Sequence, residues 1–273
     1  VWPYQTHEAW RSELGERVLK AVTGQVSEKE CGGFVLFGDH VFCKEAMKLT
    51  DAVAFSYGIE ERDLYSEKMS NLFHVPPRLY DCFQNPRTSA PISGKAPNNT
   101  GRGGCDYTDS ICYEMPYKAY RICLGPKKGK IEGRRYATLL DHLSDRGSLS
   151  TYVKIDTEGS EWTVLERLLE RPEDIAKIRT LDMEVHFGFG AASDQGEQLP
   201  SGQEALERQV KIMERLLEHF RVLGSTLENY RQGWRPENDC AQQQCNEPSV
   251  HTAGGFGVVQ FAVGYVNKNL NLL

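Results

Sequence analysis

With 273 residues, 40% of them apolar, and a formal charge of -6, the chain has material for one large core with additions. A pI near 5.7 excludes a general electrostatic footprint for nucleic acid, and no such partner is expected. No run reaches the roughly 18 unbroken apolar residues that span a bilayer, so no membrane contact is expected in this stretch. Val1 in place of Met is read as a trimmed N-terminus, which leaves room for a removed signal or anchor.

In chain order, Trp10, Leu14, Val18, Ala21 and Val22 recur at helical spacing and predict an amphipathic lead-in helix over 7–24. Phe34 to Phe37 and Val41 to Cys43, bounded by glycines, predict a short hairpin that Cys31 and Cys43 could staple. Residues 1–45 thus form an extension before the main domain, 46–273. There, Ala52 to Gly58 is read as the first strand, and Glu60 to Asn71 as a helix with Leu64, Met69 and Leu72 inward. Arg78 to Cys82 and Tyr120 to Gly125 are read as the second and third strands, and Tyr136 to Leu143 as a short helix. Thr151 to Ile155, Ile178 to Phe187 and Phe256 to Val266 are further strands. Glu204 to Phe220 is a helix, and Phe220 to Leu227 is the expected antiparallel partner of the last strand. The expected fold is α/β: a mostly parallel sheet with a terminal antiparallel hairpin.

Two long insertions, 83–115 and 233–255, carry turn chemistry and little apolar content. Cys105 with Cys112, and Cys240 with Cys245, sit in these polar loops, where a disulfide would pin backbone that has no core to enter. An even count of eight cysteines favours an oxidising compartment, and the sequon Asn98-Asn99-Thr100 would serve as a glycosylation acceptor there. The spacings match no zinc site.

The most informative segment is TYVKIDTEGSEWTVLERLL, Thr151 to Leu169, an apolar strand that stops in acids and a glycine and then becomes helical. In open α/β sheets the crevice beyond the carboxyl ends of the strands binds ligands, which places Asp156, Glu158, Gly159 and Glu161 where chemistry is expected. KIDTEGSEW resembles the K-I-D-x-E-G-x-E-W signature of FkbM-type methyltransferases and their eukaryotic methyltransferase-like relatives. AFSYGI, YDCF, RYATLLDHL, IRTLDMEVHF and FAVGYVNKNL resemble, in order, further blocks of that family, over roughly residues 43 to 270.

The resemblance implies a Rossmann-like class I methyltransferase fold with helices on both faces, and S-adenosylmethionine as methyl donor. It puts Ser56, Tyr57 and Gly58 at the donor's methionine end, Asp81 on its ribose hydroxyls and Asp156 beside the sulfonium. The turn departs from a G-x-G-x-x-G loop, having one glycine. Asp156 and Glu158 are expected to point to opposite faces, with Glu158 or Glu161 capping the following helix. Glu184 and His186 share a face of the next strand, and His186, with an ordinary pKa near 6.5, could take a proton from an attacking hydroxyl. Asp156, Glu184 and His186 could also hold a divalent cation. The expected reaction is O-methylation of a glycan or small-molecule hydroxyl in the secretory pathway, in the Golgi lumen or outside the cell, with Trp234 and Arg235 bordering the acceptor cleft. Two rivals are an inactive fold that only binds partners, and a hydrolase built on Asp156, Glu158 and His186. No G-x-S-x-G elbow surrounds Ser160, which argues against a serine hydrolase.

Overall fold

The computed structural model describes residues 9–37, 40–48, 51–96, 105, 111–187, 203–227, 250–251, 257–258 and 260–272. The sequon, Cys240, Cys245, Trp234, Arg235 and much of both insertions lie outside the described residues. The chain is an α/β protein built on a seven-stranded sheet. Its strands are β1 (Val53–Tyr57), β2 (Pro77–Tyr80), β3 (Lys118–Tyr120), β4 (Thr151–Ile155), β5 (Ile178–His186), β6 (Phe220–Ser225) and β7 (Gln260–Asn267). Their spatial order is β6-β7-β5-β4-β1-β2-β3. Neighbours from β3 to β5 pair in parallel, whereas β7 runs antiparallel to both β5 and β6. The expected terminal hairpin is therefore present, and the order reverses between β1 and β4, the switch point where such sheets leave a crevice.

Helices cover both faces. Alternate residues Phe55, Tyr57, Val153, Ile155, Leu181 and Met183 join one core with α1 (Ala9–Val22), α4 (Glu161–Leu169) and α6 (Gln203–His219). Ala54 and Tyr152 face the other way, against α2 (Leu64–Asn71) and the hairpin Phe34–Phe37/His40–Cys43. The lead-in helix contributes Leu14, Val18 and Val22 to the larger core. Three nearly complete side-chain burials of this kind are each worth about 1.5–3 kcal/mol of transfer free energy.

Three local expectations change. In α2 the inward residues are Tyr65 and Met69, while Leu64 and Leu72 are 47% and 41% exposed. Asp63, whose carboxylate accepts from Ser66 N, starts this helix and sets that rotation. The third strand is Lys118–Tyr120, joined to β2; Cys123–Leu124 leaves for a three-stranded side sheet with Gly129–Ile131 and Arg134–Ala137. Tyr136 belongs to that side sheet. The helix begins only at α3 (Leu139–Leu143), where Thr138 and Asp141 close a capping box that fixes the start. A four-residue helix, α5 (Pro172–Ile175), links α4 to β5.

Candidate functional site

The ends of β1, β4 and β5 meet at the switch point. Asp156 N donates to Tyr57 O at 3.1 Å, and Gly58 N donates to Tyr80 O at 3.1 Å. Gly58 has φ +72, and a Cβ built there would stand 1.4 Å from the carbonyl oxygen of Asp156. Glycine is thus required so that two strand ends can touch backbone to backbone.

Lys154 is 5% exposed on an otherwise apolar strand, and a buried ammonium needs partners. Its Nζ donates to Gly58 O at 2.7 Å and to Asp156 Oδ2 at 2.9 Å, with Asp63 Oδ1 at 3.9 Å. Burial alone would lower its pKa, but Asp63 and Asp156 raise it overall, so the charge is retained.

Beyond β4 the chain turns through Glu158 at φ +52 and Gly159 at φ +99. A left-handed non-glycine residue is uncommon and costs on the order of 1–2 kcal/mol. The turn is held by Glu161, which is fully buried. Its Oε2 accepts from Gly159 N at 2.8 Å, and its Oε1 accepts from His186 N at 3.0 Å and lies 3.2 Å from His186 Nδ1. Glu161 therefore orients the histidine rather than capping the helix, whose N-cap Ser160 has no side-chain cap bond. Trp162 Nε1 donates to His186 O at 2.8 Å and fixes the same strand end from below.

With Nδ1 held by Glu161, His186 Nε2 faces Glu158 Oε2 at 3.6 Å, Glu184 Oε1 at 3.9 Å and Asp156 Oδ1 at 4.0 Å. Asp156 and Glu158 thus both face His186 Nε2, against the expectation that they point to opposite faces. Residues two apart on extended chain share a face, and the left-handed turn at Glu158 keeps the second carboxylate there. Burial alone would lower the pKa of His186, but the hydrogen bond and charge of Glu161, with Glu158 and Glu184, raise it to about 9. Burial and the neighbouring Asp156 push Glu184 up to about 7. These shifts favour the protonated imidazole at neutral pH and bring Glu184 close to neutrality. Asp156, Glu184 and His186 offer three ligand atoms within 4.8 Å of one another, the spacing a divalent cation would need.

The remaining sequence candidates are displaced from this cluster. The Tyr57 side chain is fully buried on the opposite face, hydrogen-bonded to His142 Nδ1 at 2.8 Å and stacked on Tyr80; only its backbone reaches the rim. Ser56 lies beside Lys154 in register, buried, its hydroxyl without a hydrogen bond among the described residues. Asp81 Oδ1 accepts from Phe83 N at 2.7 Å and Gln84 N at 2.9 Å, closing the turn after β2. Burial raises its pKa, opposed by these N–H groups and that of Ile59.

Lys154 was not anticipated as a site residue, although a lysine inside a largely apolar strand is a visible signal; Glu161 was expected at the crevice, but as a helix cap and not as the partner of His186.

The sequence matches no known family model, and no curated protein is significantly similar to it.

Proposed function

We propose that the chain is an S-adenosylmethionine-dependent methyltransferase of the FkbM-like, Rossmann-like class I type that methylates a hydroxyl. The observation that carries this reading is the junction of Gly58 with Asp156 at the switch point, ringed by acids. The mostly parallel seven-stranded sheet with its antiparallel end is compatible with the Rossmann-like fold the resemblance implies. The donor set also suits a cationic ligand: five carboxylates (Asp63, Asp156, Glu158, Glu161 and Glu184) surround two cations, Lys154 and His186.

S-adenosylmethionine, when bound, supplies an already activated methyl group, so the protein must position two reactants and remove one proton. Asp156 and Glu158 would attract the donor's sulfonium, and Glu184 would take the acceptor hydroxyl's proton, the methyl's C–S bond giving way to a C–O bond and the donor leaving as the neutral thioether; His186 would stabilise the surrounding carboxylates. Asp81, just after β2, would take the ribose hydroxyls in this reading.

Three disulfides, Cys31–Cys43, Cys82–Cys123 and Cys105–Cys112, indicate an oxidising extracellular or secretory environment. Among the described residues no helix is long and apolar enough to cross a membrane. Within that environment we place the protein in the Golgi lumen, acting on a glycan or small-molecule hydroxyl.

A second reading, a fold that binds partners without turnover, is favoured by one observation: Tyr57, expected at the donor's methionine end, keeps its side chain buried on the opposite face and bonded to His142. Calorimetric titration with S-adenosylmethionine separates the readings. The transferase should bind it, with affinity at least ten-fold weaker after Asp81→Ala. No heat and no thermal shift in the unmodified protein would sink the proposal.

A further inference from the structure

The ligand set Asp156, Glu184 and His186 looks ready for a divalent ion, but one of its members is already engaged. Lys154 Nζ is 2.9 Å from Asp156 Oδ2, 2.7 Å from Gly58 O and 3.9 Å from Asp63 Oδ1. These oxygens belong to the end of β4, the turn after β1 and the N-cap of α2, so one ammonium ties three elements together. Glu184, on the strand beside it, also favours its charge. A lysine ammonium is a compact charge with three donors and no acceptor. Bridging carboxylates and a carbonyl from separate elements is what a bound metal does elsewhere. The lysine cannot swing out to make way, because its side chain is only 7% exposed.

We propose that the Lys154 ammonium is the resident cation of this site, occupying the electrostatic place of a divalent ion. The intact protein is then indifferent to divalent ions, and the Asp156, Glu184 and His186 set becomes an ion site only when the lysine is replaced by a neutral residue. The reason is local repulsion. An ion held by Asp156 Oδ1 would sit against the ammonium held by Oδ2 of the same carboxylate, at a depth where solvent screens poorly. Lys154 is a positioning residue under this assignment, holding Asp156 towards His186 and the Gly58 turn against β4. Its part in catalysis rests on the proposed methyl transfer, whereas the ion-binding behaviour does not.

The test is titration with Mn²⁺, followed by loss of the free-ion electron paramagnetic signal and by thermal melting. Unmodified protein and Lys154→Arg are expected to leave the signal and melting temperature unchanged. Lys154→Met is expected to bind one Mn²⁺ per chain at least ten-fold more tightly than the unmodified protein, and adding Asp156→Asn should abolish the gain. If Lys154→Met melts early or fails to fold, Mn²⁺ should restore its thermal transition. Stoichiometric Mn²⁺ binding by the unmodified protein that Asp156→Asn removes would overturn the proposal, as would a Lys154→Met protein that neither binds Mn²⁺ nor is rescued by it. Absence of S-adenosylmethionine binding would leave these outcomes untouched, so the two proposals fail separately.

Discussion

Glu184 and His186 stand two residues apart on β5, and both hold their protons more tightly than usual, for different reasons. Burial and Asp156 penalise the charged form of Glu184, while Glu161, Glu158 and Glu184 favour the charged form of His186. For the proposed reaction the active form has Glu184 ionised and His186 protonated. The value of kcat/KM should therefore rise as pH passes about 7 and fall as it passes about 9. Glu184→Gln should remove the lower limb and cut turnover by about 10²- to 10⁴-fold, measured by initial rates across pH. A profile unchanged in shape by that substitution would return the base role to another group. At this scale the sequence showed the residue types but not their proton affinities. Asp156, Glu184 and His186 were named from motif and alternation. What they do depends on Glu161 and Lys154, whose contacts span 25 and 96 residues of chain. The strict alternation of Thr180, Asp182, Glu184 and His186 with Leu181, Met183 and Val185 reads as a half-solvated strand. Yet β5 is central, and Asp182 is buried, its carboxyl held well above the usual range by that burial. A polar face on a doubly covered strand is a sequence-level signature of an internal site.

Elements with long apolar periodicity were legible: α1, α6, β4, β5 and the terminal hairpin fall close to where the spacing puts them. Short edge elements were not. Lys118–Tyr120 has less apolar character than the Cys123–Leu124 segment, so the latter was read as the third strand; hydrogen bonding to β2, including Asp81 N to Tyr120 O at 3.1 Å, decides otherwise. Nor could the pairing of Cys82 with Cys123 be read from spacing, because it joins the end of β2 to the side sheet. That bridge closes a loop of 41 residues, against 12 for Cys31–Cys43. Loop-closure entropy then gives the longer bridge about 4 kcal/mol and the shorter about 3 kcal/mol. The double substitution Cys82→Ser with Cys123→Ser should lower unfolding free energy more than Cys31→Ser with Cys43→Ser, as read from urea denaturation. The reverse order would mean that strain or residual structure outweighs chain entropy here.

For the molecule as a whole, the two faces of the sheet are unequally covered. Five helices, α1 and α3 to α6, contribute to the core on one face, and a short helix with a hairpin packs the other, the face that carries Lys154, Asp156 and Glu184. The charged cluster therefore lies under the lighter cover while the scaffold that aims it is anchored in the larger core. The order of elements was sufficient to anticipate a mostly parallel sheet with an antiparallel end; the close approach at its centre was not legible, because it depends on the carbonyl of one residue meeting the missing side chain of another.

That approach has a dynamic consequence. The amides of Gly58 and Asp156 are each committed to a neighbouring strand, so neither can be exposed without parting β1 from β2 or from β4. In native-state deuterium exchange both should be among the last protons to leave, released only with cooperative unfolding. The amides of Phe83 and Gln84, tied among the described residues to the Asp81 side chain, should exchange early.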